Sequence, residues 1–218
     1  MIGWVHKVEV QKTIKDPTTA EDVVEEFRDF AAIYDQEVSG ENLQGRTIHY
    51  PAPARLTKLF LSAAKLKAGD RCLDVATGTG ILTQKIKERR SHIHMTGVDI
   101  SPEMLEQARA KQLLDEIEVV NAEKGLPFAT GAFKAVVTCG VFEFIQNERR
   151  LVNEMARVTA PGGYLAIAAL KSDVLDDIQI PGFTRLGYEE GIGYDIRDAE
   201  SIEQSDYIFA VYQKNGPA

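Results

Sequence analysis

Asp74-Val75-Ala76-Thr77-Gly78-Thr79-Gly80 sets an acidic residue inside an apolar run and follows it with a tight glycine turn. A carboxylate in a buried strand is costly unless it finds a donor, so Asp74 calls for a partner such as a backbone N–H or an ammonium group. Gly78 and Gly80 permit backbone conformations and close approaches that a side chain would block. A ligand can therefore lie against the turn at the strand's carboxyl end, and a nucleotide-like cofactor is its natural occupant. Asp99 closes a second apolar run in Gly97-Val98-Asp99-Ile100-Ser101, where a carboxylate can accept both hydroxyls of a ribose. Ser101 and Pro102 already supply the cap and first turn of the next helix, which leaves Asp99 available to a ligand. A dinucleotide fingerprint needs a third glycine three residues beyond Gly80. The chain has Thr83 there, which argues against NAD.

These residues need a scaffold. From Arg71 onward, short β-rich runs alternate with amphipathic helical segments, the pattern of a parallel α/β sheet. The runs predict strands near 71–76, 93–98, 117–120, 134–139 and 164–169, with helices near 80–89, 102–113 and 147–158. Between Val120 and Lys134 the turn signals Gly125-Leu126-Pro127-Phe128 and Thr130-Gly131 leave little room for a helix. Pro161-Gly162-Gly163 stops the last of these helices. Residues 183–188 and 207–213 read as two more strands in an antiparallel terminal pair, giving seven in all. Upstream, Thr19-Ala20-Glu21-Asp22 caps a helix with Val23, Val24, Phe27, Phe30, Ala31 and Tyr34 on one stripe, for which core packing is the plain reading. A second helix near 53–65 carries Leu56, Leu59, Phe60 and Ala63. The division expected is an N-terminal segment and helical lid over 1–65, then a cofactor-binding core over 66–218.

Composition limits the function. At 218 residues with 44% hydrophobic and 27% charged content, the chain can bury one sizeable core. A net charge of −8, from 33 acidic and 25 basic residues, supplies no positive field for a phosphate backbone, so no nucleic-acid partner is expected. Cys72 and Cys139 fall in inner strands and read as small buried hydrophobes in a reducing cytosol. No run approaches membrane-spanning length, and the N-terminus has no cleavage-site pattern, so a cytoplasmic location is expected. His92 and His94 alternate along a strand while His6 and His49 stand alone; none of this is metal-ligand spacing, and no metal is expected. Trp4, in an N-terminal β-like run, could mark a strand packed against a partner.

Four ordered motifs, Leu73 to Gly80, Gly97 to Leu105, Leu126-Pro127-Phe128 and Arg157 to Gly163, resemble those of class I S-adenosylmethionine-dependent methyltransferases. The resemblance covers roughly Leu66 to Leu170 and is greatest to the small-molecule branch that includes ubiquinone and menaquinone biosynthesis enzymes. A similar pattern occurs in Williams-Beuren-type methyltransferase-like proteins. It implies a doubly wound, mostly parallel seven-stranded sheet with an antiparallel C-terminal strand, and S-adenosylmethionine as the cofactor. Asp74 and Ala76, Thr77, Gly78, Thr79 and Gly80 would face the cofactor's amino acid moiety, with the next helix N-terminus near its carboxylate. Asp99 would hold the ribose, Ile100 and Met104 would sandwich the adenine, and Asn121 and Ala122 would meet its edge. Many relatives have aspartate where Asn121 stands, and an amide can still address that edge. Cys139 would close the site at the end of the fourth strand.

Methyl transfer from a sulfonium is an in-line displacement in which positioning can supply roughly 7 to 11 kcal/mol of barrier lowering, so a catalytic base is optional. Glu143, in the loop that the family places beside the reactive methyl, could accept a proton or bind a cation. Its alternative is an internal hydrogen-bond partner. Tyr34 resembles a lid tyrosine, and His49, before Tyr50 and Pro51, is a second base candidate. Tyr188 and Tyr194 read as strand packing. The segment 171–182 is short, so the cap over the acceptor is small and a low-molecular-weight acceptor follows, apolar or aromatic if Phe27, Phe30, Tyr34, Phe142 and Phe144 face it. A competing expectation keeps the cofactor pocket without methylation, as a regulatory or scaffold protein or a cyclase.

Overall fold

Thr19 opens the first helix by a reciprocal cap. Its hydroxyl accepts from the Asp22 N–H at 3.2 Å while the Asp22 carboxylate accepts from the Thr19 N–H at 2.9 Å. The computed structural model describes residues 19–43, 45–171 and 178–216. The run around Trp4, His6 and part of the expected 171–182 segment lie outside the described residues. In chain order the elements are α1 (Ala20–Phe30), α2 (Tyr34–Glu37), β1 (Ser39–Leu43), β2 (Arg46–His49), α3 (Ala52–Ala63), β3 (Arg71–Val75), α4 (Ile81–Lys87) and β4 (His94–Asp99). They continue with α5 (Pro102–Ala110), β5 (Glu116–Val119), β6 (Phe133–Cys139), α6 (Glu148–Val158), β7 (Thr159–Leu170), β8 (Phe183–Arg197) and β9 (Ile202–Lys214).

Among the described residues the strands form one sheet of nine, in the order β1-β2-β8-β9-β7-β6-β3-β4-β5. The centre, from β7 to β5, is parallel, and β9 runs antiparallel to both β7 and β8. The seven expected strands are all present. The correction is the pair β1 and β2, which continues the sheet through β2 against β8, with Ile48 opposite Ile196 and His49 opposite Asp195. Ser39-Gly40-Glu41-Asn42-Leu43 lacks β-branched alternation, so only the tertiary pairing makes it a strand. β8 is also far longer than 183–188, because bulges between Arg185 and Gly187 and between Ile192 and Tyr194 shift the alternation that would reveal it. The glycines there are packing necessities: a Cβ on Gly187 would meet Leu59 at 2.9 Å, and one on Gly193 would collide with the Tyr207 ring.

Both faces of the sheet are covered, as a doubly wound fold requires. Along β7, Leu165, Ile167 and Ala169 pack with Leu151, Val152 and Met155 of α6, while Ala166 and Ala168 pack with Leu56 and Phe60 of α3 and Ile86 of α4. The crossover from β5 to β6 holds one 3₁₀ turn, Ala122–Lys124, in agreement with its turn signals. Arg157 secures that loop to α6 by donating to the carbonyls of Leu126 and Phe128 at 2.8 and 2.7 Å and to Glu154. The same guanidinium holds the Glu154 carboxyl down at about 2. The loop that ends the cofactor side of the sheet is thereby tied to the core.

Candidate active site

The carboxyl ends of β3, β4 and β6 open onto one cavity that α1 and α2 roof. This is where an open parallel sheet binds ligands, because the βα turns there diverge. Val23 and Phe27 of α1 line it, as does Tyr34. Val23 and Phe27 of the apolar stripe therefore face the cavity, while Val24, Phe30 and Ala31 of the same stripe do not line it.

Asp74 is 1% exposed. Its Oδ2 accepts from the Thr77 hydroxyl at 2.9 Å and the Thr83 hydroxyl at 2.7 Å. Thr83, which replaces the glycine of a dinucleotide fingerprint, thus has a positive role. Burial raises the Asp74 carboxyl to about 6, the threonine bonds working against it and Asp99 adding to it. Asp99 accepts from the Gly78 N–H at 2.8 Å through Oδ2 and from the Ser101 N–H at 2.9 Å through Oδ1. Its pKa also lies above the ordinary value, through burial that those N–H donors oppose. No cation stands beside either carboxylate among the described residues. Each carboxylate oxygen has more than one acceptor direction, so both residues can take further donors from a ligand.

The turn between them is bent by left-handed backbone. Gly78 has φ +55° and Gly80 φ +84°, and Ala76 has φ +55° although it carries a Cβ. A non-glycine residue in that region costs of the order of 1 kcal/mol and persists where the surroundings impose it, commonly at ligand sites. A Cβ on Gly78 would meet nothing within 4 Å, so that glycine answers to φ and leaves open space over the turn. Ala76, Thr77, Gly78 and Thr79 line the cavity, whereas Gly80 lies beneath it as the cap of α4. Ile100, Met104 and Ala122 line the far end. Asn121 lies beside them with its side-chain oxygen capping the 3₁₀ turn at Glu123 N–H, 3.0 Å. Thr79 has a second engagement: its hydroxyl donates to Asp35 of α2 at 2.5 Å, and Asp35 also pairs with Lys111. This latch joins the roof to the glycine turn.

The remaining expected residues separate. Cys139 lines the cavity, its sulfur 3.3 Å from the Tyr50 hydroxyl, and burial raises its thiol pKa. Tyr34 lines it too, its hydroxyl 3.0 Å from that of Tyr194. Glu143 stands behind the wall, in the 3₁₀ turn Phe142–Phe144, and accepts from Tyr207. His49 is brought to a different place: it is exposed on β2 with its ring over Gly40, and it is not a base facing this cavity. Its proximity to Tyr50 in sequence misleads because alternation along a strand sends neighbours to opposite faces. Tyr50, Tyr194 and Tyr207 were not marked as site residues. Strand tyrosines usually pack, and only the tertiary pairing of β8 with β9 assembles them.

Two carboxylates, Asp74 buried and Asp99 half-buried, thus flank a glycine turn at adjacent parallel strand ends beneath a helical roof, where the methyltransferase resemblance implies the cofactor would lie. Residues 73–167 match the methyltransferase domain family. The chain is 35% identical to a demethylmenaquinone methyltransferase of Thermus thermophilus over 65% of this chain and 62% of that protein. It is 31% identical to one of Corynebacterium urealyticum over 75% of this chain and 66% of that protein. The chain thus spans slightly less than two thirds of the length of each relative. In fold it is similar to the crystal structure of the (4+2)-cyclase SpnF, with TM-score 0.67 and 18% identity over 91% of this chain and 97% of that one.

Proposed function

We propose that the chain transfers a methyl group from S-adenosylmethionine to a small, largely apolar acceptor. The observation that carries this reading is the pair Asp74 and Asp99: two carboxylates at the floor of one cavity, each held by donors and neither neutralised by a cation. A ligand with an ammonium group at one end and a ribose diol in the middle fits that pair. S-adenosylmethionine supplies an electrophilic methyl group on a sulfonium, open to in-line displacement.

The chain's own residues do the positioning. Asp74 takes the ammonium and Asp99 the diol, while the turn from Ala76 to Gly80 gives the backbone approach between them. Ile100 and Met104 offer an apolar slot for a flat ring, with Asn121 and Ala122 at its edge. Val23, Phe27, Val141, Phe144 and Ile145 make the rest of the cavity apolar, which favours an acceptor of like character. The relatives are themselves named demethylmenaquinone methyltransferases, which supports an acceptor of this kind. The α1–α2 roof excludes water, which would otherwise compete for the methyl group.

The assay is transfer of labelled methyl from S-adenosylmethionine to demethylmenaquinone and to a panel of small phenols. Label in an acceptor, with S-adenosylhomocysteine formed in equal amount, is the expected result. Tight cofactor binding without transfer to any acceptor would assign the chain to the binding or scaffold class instead.

The latch makes a separate prediction. Asp35→Ala removes the Thr79 and Lys111 partners of the roof at a cost of about 1 kcal/mol. Stopped-flow displacement should show S-adenosylhomocysteine leaving roughly fivefold faster. An unchanged dissociation rate would mean that the roof does not gate the cofactor.

A further inference from the structure

The loop between β6 and α6, residues 140–147, brings Val141, Phe144 and Ile145 to the cavity, and its regular structure is the 3₁₀ turn Phe142–Phe144. The Phe144 N–H closes that turn on the Val141 carbonyl at 3.0 Å, and the Ile145 N–H donates to that of Phe142 at 3.2 Å. Neighbouring elements then fix where the loop stands. Tyr207 of β9 donates to Glu143 in its middle. Near its end the Gln146 N–H donates to Glu123 Oε1 at 2.6 Å. Glu123 belongs to the 3₁₀ turn Ala122–Lys124, which lines the same cavity from the end of β5.

A glutamate on a half-exposed turn ordinarily keeps its rotamers and points to water, because fixing it costs side-chain entropy. Here several features hold it across the two loops. A bond from an N–H to a carboxylate is roughly twice as strong as one between neutral groups. The Gln146 N–H stands just ahead of α6, which Asn147 caps by accepting from the Arg150 N–H at 3.0 Å, and the positive end of that helix favours a carboxylate. The Arg150 guanidinium also donates to the Lys124 carbonyl at 3.3 Å, which docks the turn on α6 a second time. Asn121 braces the turn from its other side, its side-chain oxygen accepting from the Glu123 N–H at 3.0 Å.

We infer that Glu123 is a positioning residue that passes occupancy of the cofactor's adenine end to the apolar wall of the acceptor site. This inference rests on the methyltransferase reading and adds to it the residue by which one part of the cavity sets up another. Adenine at Asn121 and Ala122 pins the turn. Glu123, in the same turn, then holds the Gln146 N–H, and with it Phe144 and Ile145, where an acceptor packs. Phe144 meets Phe27 of α1 edge-on at 5.4 Å between ring centroids, so the same strut props the roof. A ligand that orders one end of a connected strut lowers the cost of ordering the other, and by linkage an acceptor against the wall strengthens cofactor binding by the same factor.

The test is hydrogen exchange at the Phe144 and Ile145 amides, read by NMR in the free protein and with saturating S-adenosylhomocysteine. In the wild type the ligand should slow both about tenfold. In Glu123→Ala this slowing should shrink to less than about twofold while calorimetry still shows the ligand bound, and Glu123→Ser stands in if the alanine variant misfolds. Glu123→Gln keeps an oxygen for the Gln146 N–H and should restore the slowing to about fivefold. A residue that served stability alone would quicken exchange in the alanine variant with and without ligand alike, leaving the ratio at its wild-type value. That result, an alanine-like ratio in Glu123→Gln, or a wild type that binds the ligand without slowing these amides would overturn the inference. Failure of the wild type to bind S-adenosylhomocysteine by calorimetry would overturn the methyltransferase reading itself.

Discussion

Asp99→Ala should weaken binding of S-adenosylmethionine and S-adenosylhomocysteine by about 1.5 to 3 kcal/mol, or roughly ten- to over a hundredfold. Two losses combine. The diol loses a charged acceptor, and the Gly78 and Ser101 N–H groups, held at 2.8 and 2.9 Å, lose theirs. Gly78 is at φ +55°, and its N–H bond to Asp99 ties the bent turn to the end of β4, so the turn that approaches the ligand loosens with the substitution. Asp99→Asn keeps the shape and an acceptor oxygen and should fall between the wild type and alanine. Equal affinity of the alanine variant and the wild type would remove Asp99 from the site.

Below about pH 6, affinity for S-adenosylhomocysteine should fall about tenfold for each unit of pH, and above it the affinity should be flat. The sign follows from Asp74. Its carboxyl is raised to about 6 in the folded protein, and a ligand ammonium pairs only with the ionised form, so acid converts the site to a neutral one. The stability of the ligand-free protein changes in the opposite sense. A carboxyl raised by folding contributes stability that is complete below its unfolded value and is lost as pH rises through about 6. The two trends cross in one experiment: acid should favour the empty fold and weaken its ligand. Asp74→Asn should abolish the pH dependence of affinity between about pH 5 and pH 8 and bind weakly throughout. A wild-type affinity that is flat over that range would show that Asp74 does not meet the ammonium.

Much of this site was legible because its signals are local. A carboxylate followed by a glycine turn, and an acid at the end of the next strand, each lie within a few residues, and parallel pairing of β3 with β4 brings them together. Thr83 was legible only as a missing glycine; that its hydroxyl would reach back to Asp74 needed the first turns of α4 in place. Of the tyrosine wall only Tyr34 was legible. Tyr34, Tyr50, Tyr194 and Tyr207 meet through pairings between segments up to 173 residues apart in the chain, two of them across bulged strands whose broken alternation conceals which side chains point inward. His49 failed for the related reason that β2 became a strand only by pairing with β8. Glu143 was found as a residue, yet its partner on β9 could not be foreseen from the loop that carries it.

The most direct test of the central claim is calorimetric titration of the wild type and Asp99→Ala with S-adenosylmethionine and S-adenosylhomocysteine, with NAD as the control ligand. The account predicts binding of both adenosyl ligands by the wild type, weakened at least about tenfold by the substitution, and no binding of NAD. A folded wild-type protein that binds neither adenosyl ligand would contradict it, and the roles given to Asp74, Asp99 and the turn between them would fall together.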